Sequence, residues 1–271
     1  MSGFGWELGR SKLRWAPLLG AAVAAAVHGR DFSTEPDTWL MLAAEAERVA
    51  TITSPILLLV GAWEAQRHRR ARVGAVERTA VRSLASIRMI QAAAIVFWAL
   101  LTAIVAVGVG MLAASGPHGF RDAVVLTPVP LLGPVVGATL GIALGTILPG
   151  AIGLFAALLA AAAMVAGPLV LGPQWWLMFT PLGSSLDASP AVQASLTAAR
   201  LLLGLAALLA LAAIMMLFLQ PSGMELIVAL LLLALAAGVA LAGTLWLLDL
   251  APFTGLPGVP HIPRPLPSTT A

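Results

Sequence analysis

The feature that most constrains this chain is a long stretch without charged side chains. Between Asp122 and Asp187 there is no Asp, Glu, Lys or Arg, and two apolar runs of roughly twenty residues follow one another there. A bilayer core is about 30 Å thick, and a helix needs about 20 apolar residues to cross it. The stretch therefore predicts two membrane-spanning segments that carry no buried charge.

The composition extends this prediction to the whole chain. Hydrophobic residues make up 60% of the 271 residues, charged residues only 10%, and the mean hydropathy is +0.97. A water-soluble fold of this length cannot bury that much apolar surface. Lipid offers the backbone no hydrogen-bond partner and the runs do not alternate, so the spans should be α-helices rather than barrel strands. The predicted fold class is all-α, a polytopic membrane helical bundle.

Seven spans are predicted, and the last is either an addition to a core of six or a sign that the count is wrong by one. They cover residues 15–27, 49–63, 89–114, 124–147, 151–171, 196–219 and 224–248. The chain then divides into an interfacial helix at 1–14, a six-span domain at 15–219, the seventh span within 220–248, and a Pro-rich external tail at 249–271. Two polar external loops are expected, at 28–48 and 172–195. The basic start followed by a short apolar run also resembles a signal peptide, but Phe4, Trp6 and Trp15 favour the interfacial helix.

A dense group of arginines sets the predicted orientation. It comprises Arg67, Arg69, Arg70, Arg72, Arg78, Arg82 and Arg88. Lys and Arg in short loops favour the cytoplasmic side, so the second-to-third loop is expected inside, with the N-terminus inside and the tail outside. In a membrane protein, basicity of this kind marks cytoplasmic loops rather than nucleic-acid binding. Most of the 15 Lys and Arg residues then lie on the cytoplasmic side.

Several kinds of chemistry are disfavoured by what the chain lacks. Proton relays use ionisable residues near the middle of a membrane, whereas Glu225, Asp249 and Arg200 lie near the ends of predicted spans. No Cys is present, and there is neither a phosphate-binding loop, a Gly-x-Ser-x-Gly elbow nor a His-Glu-x-x-His motif. We therefore expect no catalytic residue, no metal site and no cofactor in this chain.

The segment at 64–88 also carries an amphipathic pattern. Apolar residues recur at spacings of three and four, namely Val73, Val76, Ala80, Leu84 and Ile87. Arg78 and Arg82 lie on another face of the same predicted helix. Such a helix either docks a cytoplasmic protein partner or lies on anionic lipid headgroups, and the pattern alone leaves both interpretations open.

Three stretches resemble a known family. The sequence GAWEAQRHRR at 61–70, followed by an amphipathic turn and a new span, is similar to the first cytoplasmic loop of bacterial ABC exporter permeases of the type-2 superfamily. The Leu-Pro-Gly turn at 148–150 and PLGSSLDASP at 181–190 are also similar to such permeases. The resemblance covers about residues 5–219, and the seventh span departs from the six-span plan.

The resemblance implies an exporter subunit in a bacterial cytoplasmic membrane. It would pair with a second permease and with two cytoplasmic ABC ATPase subunits that hold ATP and Mg, and would export an unidentified substrate. The Leu, Ala, Val and Met of the spans hint at an amphipathic one. The residues expected to meet the ATPase are Arg67, Arg69, Arg70, Arg72, Glu77, Arg78 and Arg82. The alternatives are a membrane anchor or sensor subunit without transport, and a membrane-embedded enzyme acting on lipids.

Two smaller patterns concern helix packing and the outer surface. Gly137, Gly141 and Gly145 repeat every four residues, which lets another helix approach closely, within this chain or across a dimer. Three prolines upstream, at 128, 130 and 134, are expected to kink or unwind the outer end of the same helix. Trp175, Trp176 and Phe179 fall in the 172–195 loop, where they fit an aromatic belt or an external gate.

Overall fold

A computed structural model describes the chain at residues 3–31, 39–67, 84–113, 128–148, 150–171, 190–218 and 223–250. These residues are almost entirely helical and include no strand. The helices are α1 (Gly3–Arg10), α2 (Ala16–Asp31), α3 (Trp39–Ala65), α4 (Leu84–Ala113), α5 (Pro128–Ile147), α6 (Gly150–Leu171), α7 (Pro190–Phe218) and α8 (Gly223–Leu250). A single 3-10 turn at Lys12–Trp15 joins α1 to α2. The all-α prediction is confirmed.

Three helices are long and apolar enough to cross a membrane. Their apolar segments are Ile87–Gly110 in α4, Thr197–Phe218 in α7 and Gly223–Trp246 in α8. Two shorter apolar segments, Leu131–Ile147 and Gly150–Ala166, lie in α5 and α6. These lengths, within the described residues, support a helical membrane protein, while the count of six or seven spans stays a prediction.

The centre of the bundle is the pair α3 and α5. The glycine stripe of α5 lies against α3 of the same chain. A Cβ on Gly137 would lie 2.6 Å from the carbonyl oxygen of Ser54, and one on Gly145 would lie 2.5 Å from that of Ala62. Such distances leave no room for a side chain, so the two backbones are in direct contact.

The other helices surround this pair. α4 packs on α3 and α5, α2 packs on α4 and α3, and α6 packs on α3 and α5. α7 packs on α5, and α8 packs chiefly on α7. The face of α8 that packs on α7 is made of small residues. Ala229, Ala236 and Gly243 are buried there and recur every seven positions. Leucines and other large apolar side chains cover the remaining surface of α8, as expected of a helix that faces lipid.

The predicted loop at 28–48 is wrong in part. α2 continues to Asp31 and α3 begins at Trp39, so only the residues between them lie outside the described helices. The loop was predicted because the segment contains several charged residues. The segment from Trp39 is rich in Ala, Leu, Met and Glu, which are strong helix formers, so the helix continues beyond the apolar run.

The prolines of α5 do not interrupt it. The helix begins at Pro128 and runs to Ile147 with Pro134 inside it. Proline is favoured in the first helical turn because the N–H groups there have no intrahelical partner in any case. The described start of this helix is therefore not unwound. The kink expected from Pro134, which lies beyond the first turn, stays a prediction.

Candidate functional site

Six polar side chains gather at the end of the bundle where α3 finishes and α4 begins. We call them the basal polar cluster: Glu7, Glu64, Gln66, Arg67, Arg88 and Gln91. They come from α1, α4 and the end of α3, and Glu64, Gln66 and Gln91 are almost completely buried. The cluster therefore joins three helices through polar contacts.

Arg67 connects two carboxylates from distant parts of the chain. Its Nη1 donates to Glu64 Oε1 at 2.6 Å, and its Nη2 forms an ion pair with Glu7 Oε2. The exposed fractions of the side chains are 19% for Arg67, 2% for Glu64 and 7% for Glu7. A guanidinium presents several donors in a fixed plane, so one arginine can hold both acceptors at once. Arg67 thereby fixes α1 to the end of α3.

The side chains of α4 satisfy the carbonyl groups at the end of α3. The last carbonyls of a helix lack intrahelical partners. Gln91 Nε2 donates to the carbonyl oxygen of Glu64 at 2.9 Å, and Arg88 Nη1 donates to that of Ala65 at 3.4 Å. Arg88 also donates to Gln91 Oε1 at 3.2 Å. Two side chains of α4 therefore cap the end of α3.

Gln66 links the same end of α3 to the turn between α5 and α6. Its Nε2 donates to the carbonyl oxygen of Gly150 at 2.8 Å. Gly150 has φ of 51°, a left-handed conformation that favours glycine and allows the tight reversal between the two helices. A Cβ on Gly153, one turn further along α6, would lie 2.6 Å from Gln66 Nε2. The reversal is thus packed onto the end of α3.

α1 is held by contacts beyond Arg67. Trp98 Nε1 in α4 donates to the carbonyl oxygen of Leu8 at 3.3 Å. The Ser11 hydroxyl accepts from the backbone N–H of Leu13 at 3.2 Å, which caps the 3-10 turn. Leu13 itself is buried in the main apolar core with Leu57 and Ile95. The predicted interfacial segment is therefore docked on the bundle.

Among the residues predicted to meet an ATPase, only Arg67 is described. It binds two carboxylates of its own chain. The others, Arg69, Arg70, Arg72, Glu77, Arg78 and Arg82, lie outside the described residues, as do Trp175, Trp176 and Phe179. Gly137, Gly141 and Gly145 lie on one face of α5, and Gly145 packs against Ala62 and Ala65 beside the basal polar cluster.

Sequence reasoning missed most of the basal polar cluster. No sequence pattern indicates a role for Glu7 or Gln91, and Glu64 and Gln66 occur within the 61–70 stretch without a predicted role of their own. One signal was available: Glu64 and Arg67 are three residues apart, the spacing at which side chains on a helix can pair. Nothing in the sequence placed Glu7 beside them, because 60 residues separate it from Arg67.

The contacts of the basal polar cluster link the ends of several helices. Within the described residues no group of three His, Asp or Glu side chains could hold a metal ion. The cluster balances two carboxylates against two guanidinium groups, and their contacts tie helix ends together. Over the described residues, the protein is all-helical and has three helices long and apolar enough to cross a membrane. No family model, curated protein or solved structure matches the chain.

The capping role of Gln91 can be tested directly. We expect Gln91→Leu to destabilise the bundle by about 2 kcal/mol, because the carbonyl of Glu64 loses a buried donor and Arg88 loses an acceptor. The apparent Tm in detergent should fall by several degrees. Thr244→Val is the control, since it removes an exposed hydroxyl bonded only within α8. An equal Tm for both variants would contradict the cap.

Proposed function

We propose that this chain is the permease subunit of an ATP-driven ABC exporter in a bacterial cytoplasmic membrane. The observation that carries the proposal is the way both ends of segment 68–83 are anchored. The segment begins just after Arg67, which follows the end of α3 and is bound to Glu7 and Glu64. It ends where α4 begins, and Arg88 and Gln91 of α4 cap α3. A partner that moved this segment would act on both helices together.

A displacement of the end of α3 would be transmitted to other helices of the bundle through direct contacts. α3 is in direct backbone contact with α5 through Gly137 and Gly145. Gln66 connects the same end of α3 to the start of α6 at Gly150. Arg67 connects it to α1 through Glu7. Because the backbone contact is close and the polar contacts are at least partly buried, a shift of the end of α3 would move its neighbours.

The proposal assigns the energy source to another polypeptide. The chain has no phosphate-binding loop, so the ATP and Mg would be held by a cytoplasmic ABC ATPase subunit. A second permease, identical or different, would complete the translocation path. The substrate stays unidentified, and an amphipathic molecule is proposed because the predicted spans are rich in Leu, Ala, Val and Met.

Reversing charge in segment 68–83 tests this proposal. We expect Arg78→Glu with Arg82→Glu to release a co-expressed ATPase subunit or to uncouple its hydrolysis from transport, because the pair would then repel the carboxylates that it is proposed to meet. Insertion should be unaffected. The measurements are ATPase co-purification and ATP hydrolysis in proteoliposomes, with the permease alone expected to hydrolyse no ATP.

The matched control changes two arginines predicted to lie on the external side, Arg121→Glu with Arg264→Glu. This control changes the net charge by the same amount as the Arg78 and Arg82 variant, and we expect the ATPase to stay bound. If the Arg78 and Arg82 variant keeps both its ATPase and full coupled activity, the docking assignment is wrong. If no ATPase co-purifies with the native chain, the membrane-anchor or sensor alternative replaces the exporter.

A further inference from the structure

An exposed basic surface lies where α1 turns into α2. Arg10, Lys12 and Arg14 are all exposed, and Trp15 beside them is 61% exposed. The guanidinium carbon of Arg14 lies 5.3 Å from the centre of the Trp15 ring, a distance at which a cation and an aromatic face attract each other. We call Lys12, Arg14 and Trp15 the elbow surface.

The elbow surface is held in place by buried neighbours. Residues alternate along the turn: Ser11, Leu13 and Ala16 are buried, while the cations between them point away from the bundle. Leu13 is only 1% exposed and lies in the main apolar core. The 3-10 turn is further fixed by the Ser11 hydroxyl. The two cations therefore project from a fixed backbone, which lowers the entropy cost of binding.

Exposed apolar side chains continue the elbow surface along α2. Leu18 is 63% exposed and Leu19 38% exposed, one turn beyond Trp15. An occupant that uses the whole surface must therefore present an anion to Lys12 and Arg14 and hydrocarbon to Leu18 and Leu19. A phospholipid has both parts in this order, with Trp15 at the boundary that tryptophan prefers. A free phosphate or an acidic peptide would contact the two cations but not the leucines.

We propose that the elbow surface binds the headgroup of an anionic phospholipid. Lys12 and Arg14 contact the phosphate, and the acyl chains lie along Leu18 and Leu19. The lipid site goes beyond the proposed exporter function and does not depend on it, because none of its residues is proposed to contact an ATPase. A membrane anchor with the same fold would bind the same lipid.

The test uses the full purified chain alone in mild detergent. Phosphatidylglycerol is titrated at fixed ionic strength, and the bound lipid is counted by native mass spectrometry. We expect Lys12→Gln with Arg14→Gln to weaken phosphatidylglycerol binding about tenfold, because each basic residue at an anionic lipid surface contributes appreciably. Binding of zwitterionic phosphatidylcholine should be weak in both proteins.

The control is Arg48→Gln with Arg121→Gln, two arginines that the predicted topology places on the opposite side. This variant should keep the native affinity for phosphatidylglycerol. Two results would overturn the site: equal phosphatidylglycerol binding by the Lys12 and Arg14 variant and the native chain, or displacement of the lipid by millimolar inorganic phosphate. The second result would identify a simple anion site in place of a lipid site.

Discussion

Replacing Gly141 by alanine is expected to destabilise the bundle by about 3 kcal/mol, and Gly141→Leu to prevent its folding. A Cβ at this position would overlap the carbonyl oxygen of Leu58, and it would lie 2.8 Å from the carbonyl carbon of Leu58 and 3.0 Å from the backbone nitrogen of Ala62. These are backbone atoms of α3, so no rotamer change can relieve the overlap. α3 and α5 would have to separate along their length.

The measurements are the monodisperse fraction in size-exclusion chromatography and the apparent Tm in detergent. Gly108→Ala in α4 and Gly238→Ala in α8 are matched controls, because a Cβ at either position meets no atom within 4 Å. Alanine in an exposed helix is favoured over glycine by up to about 1 kcal/mol, so both controls should be as stable as the native chain or more stable. A native Tm for Gly141→Ala would show that α3 and α5 are not in contact.

The glycine stripe illustrates what the sequence could and could not predict. A four-residue repeat of glycines on an apolar helix indicates a close helix neighbour, because only small residues allow backbones to approach. The pattern does not identify that neighbour. The partner is α3, and its contacting residues Ser54, Leu58 and Ala62 show no comparable stripe of glycine. Close approach could be predicted, whereas the pairing depends on the whole bundle.

Helix boundaries could be predicted where the apolar run and the helix cover the same residues. The predicted span at 151–171 differs by one residue at its start from α6, Gly150–Leu171. The second predicted span, 49–63, covers little more than half of α3, Trp39–Ala65. Hydropathy reports where a helix can contact lipid, whereas backbone hydrogen bonding continues through charged residues such as Arg48. The end of an apolar run and the end of a helix are therefore set by different physical properties.

The basal polar cluster was the least predictable part of the fold. Glu7 occurs in a short amphipathic helix where a carboxylate is ordinarily solvated. Its burial depends on the docking of α1 onto α4, which Trp98 and Leu13 secure through contacts distant in sequence. Once docked, Glu7 needs a cation within reach, and Arg67 supplies it. Local patterns cannot predict a pairing that only the tertiary arrangement creates.

Removing Arg67 is therefore the second large expected effect. We expect Arg67→Ala to destabilise the protein by about 3–5 kcal/mol, because Glu7 and Glu64 would be left as neighbouring buried carboxylates without their shared cation. Arg67→Lys should recover only part of this loss, since an ammonium group cannot present the planar fork that reaches both acceptors. The free energy of unfolding in a denaturing detergent titration measures both variants.

A rescue experiment separates the loss of a cation from general damage. Adding Glu7→Gln and Glu64→Gln to Arg67→Ala removes both carboxylate charges at nearly constant volume, so most of the lost stability should return. Replacing a buried ion pair by neutral groups is often tolerated, whereas removing one partner is not. If the triple variant is no more stable than Arg67→Ala alone, the carboxylates are not the source of the cost. α1 would then be held chiefly by Trp98 and Leu13, and the ion pairs would contribute little to the docking.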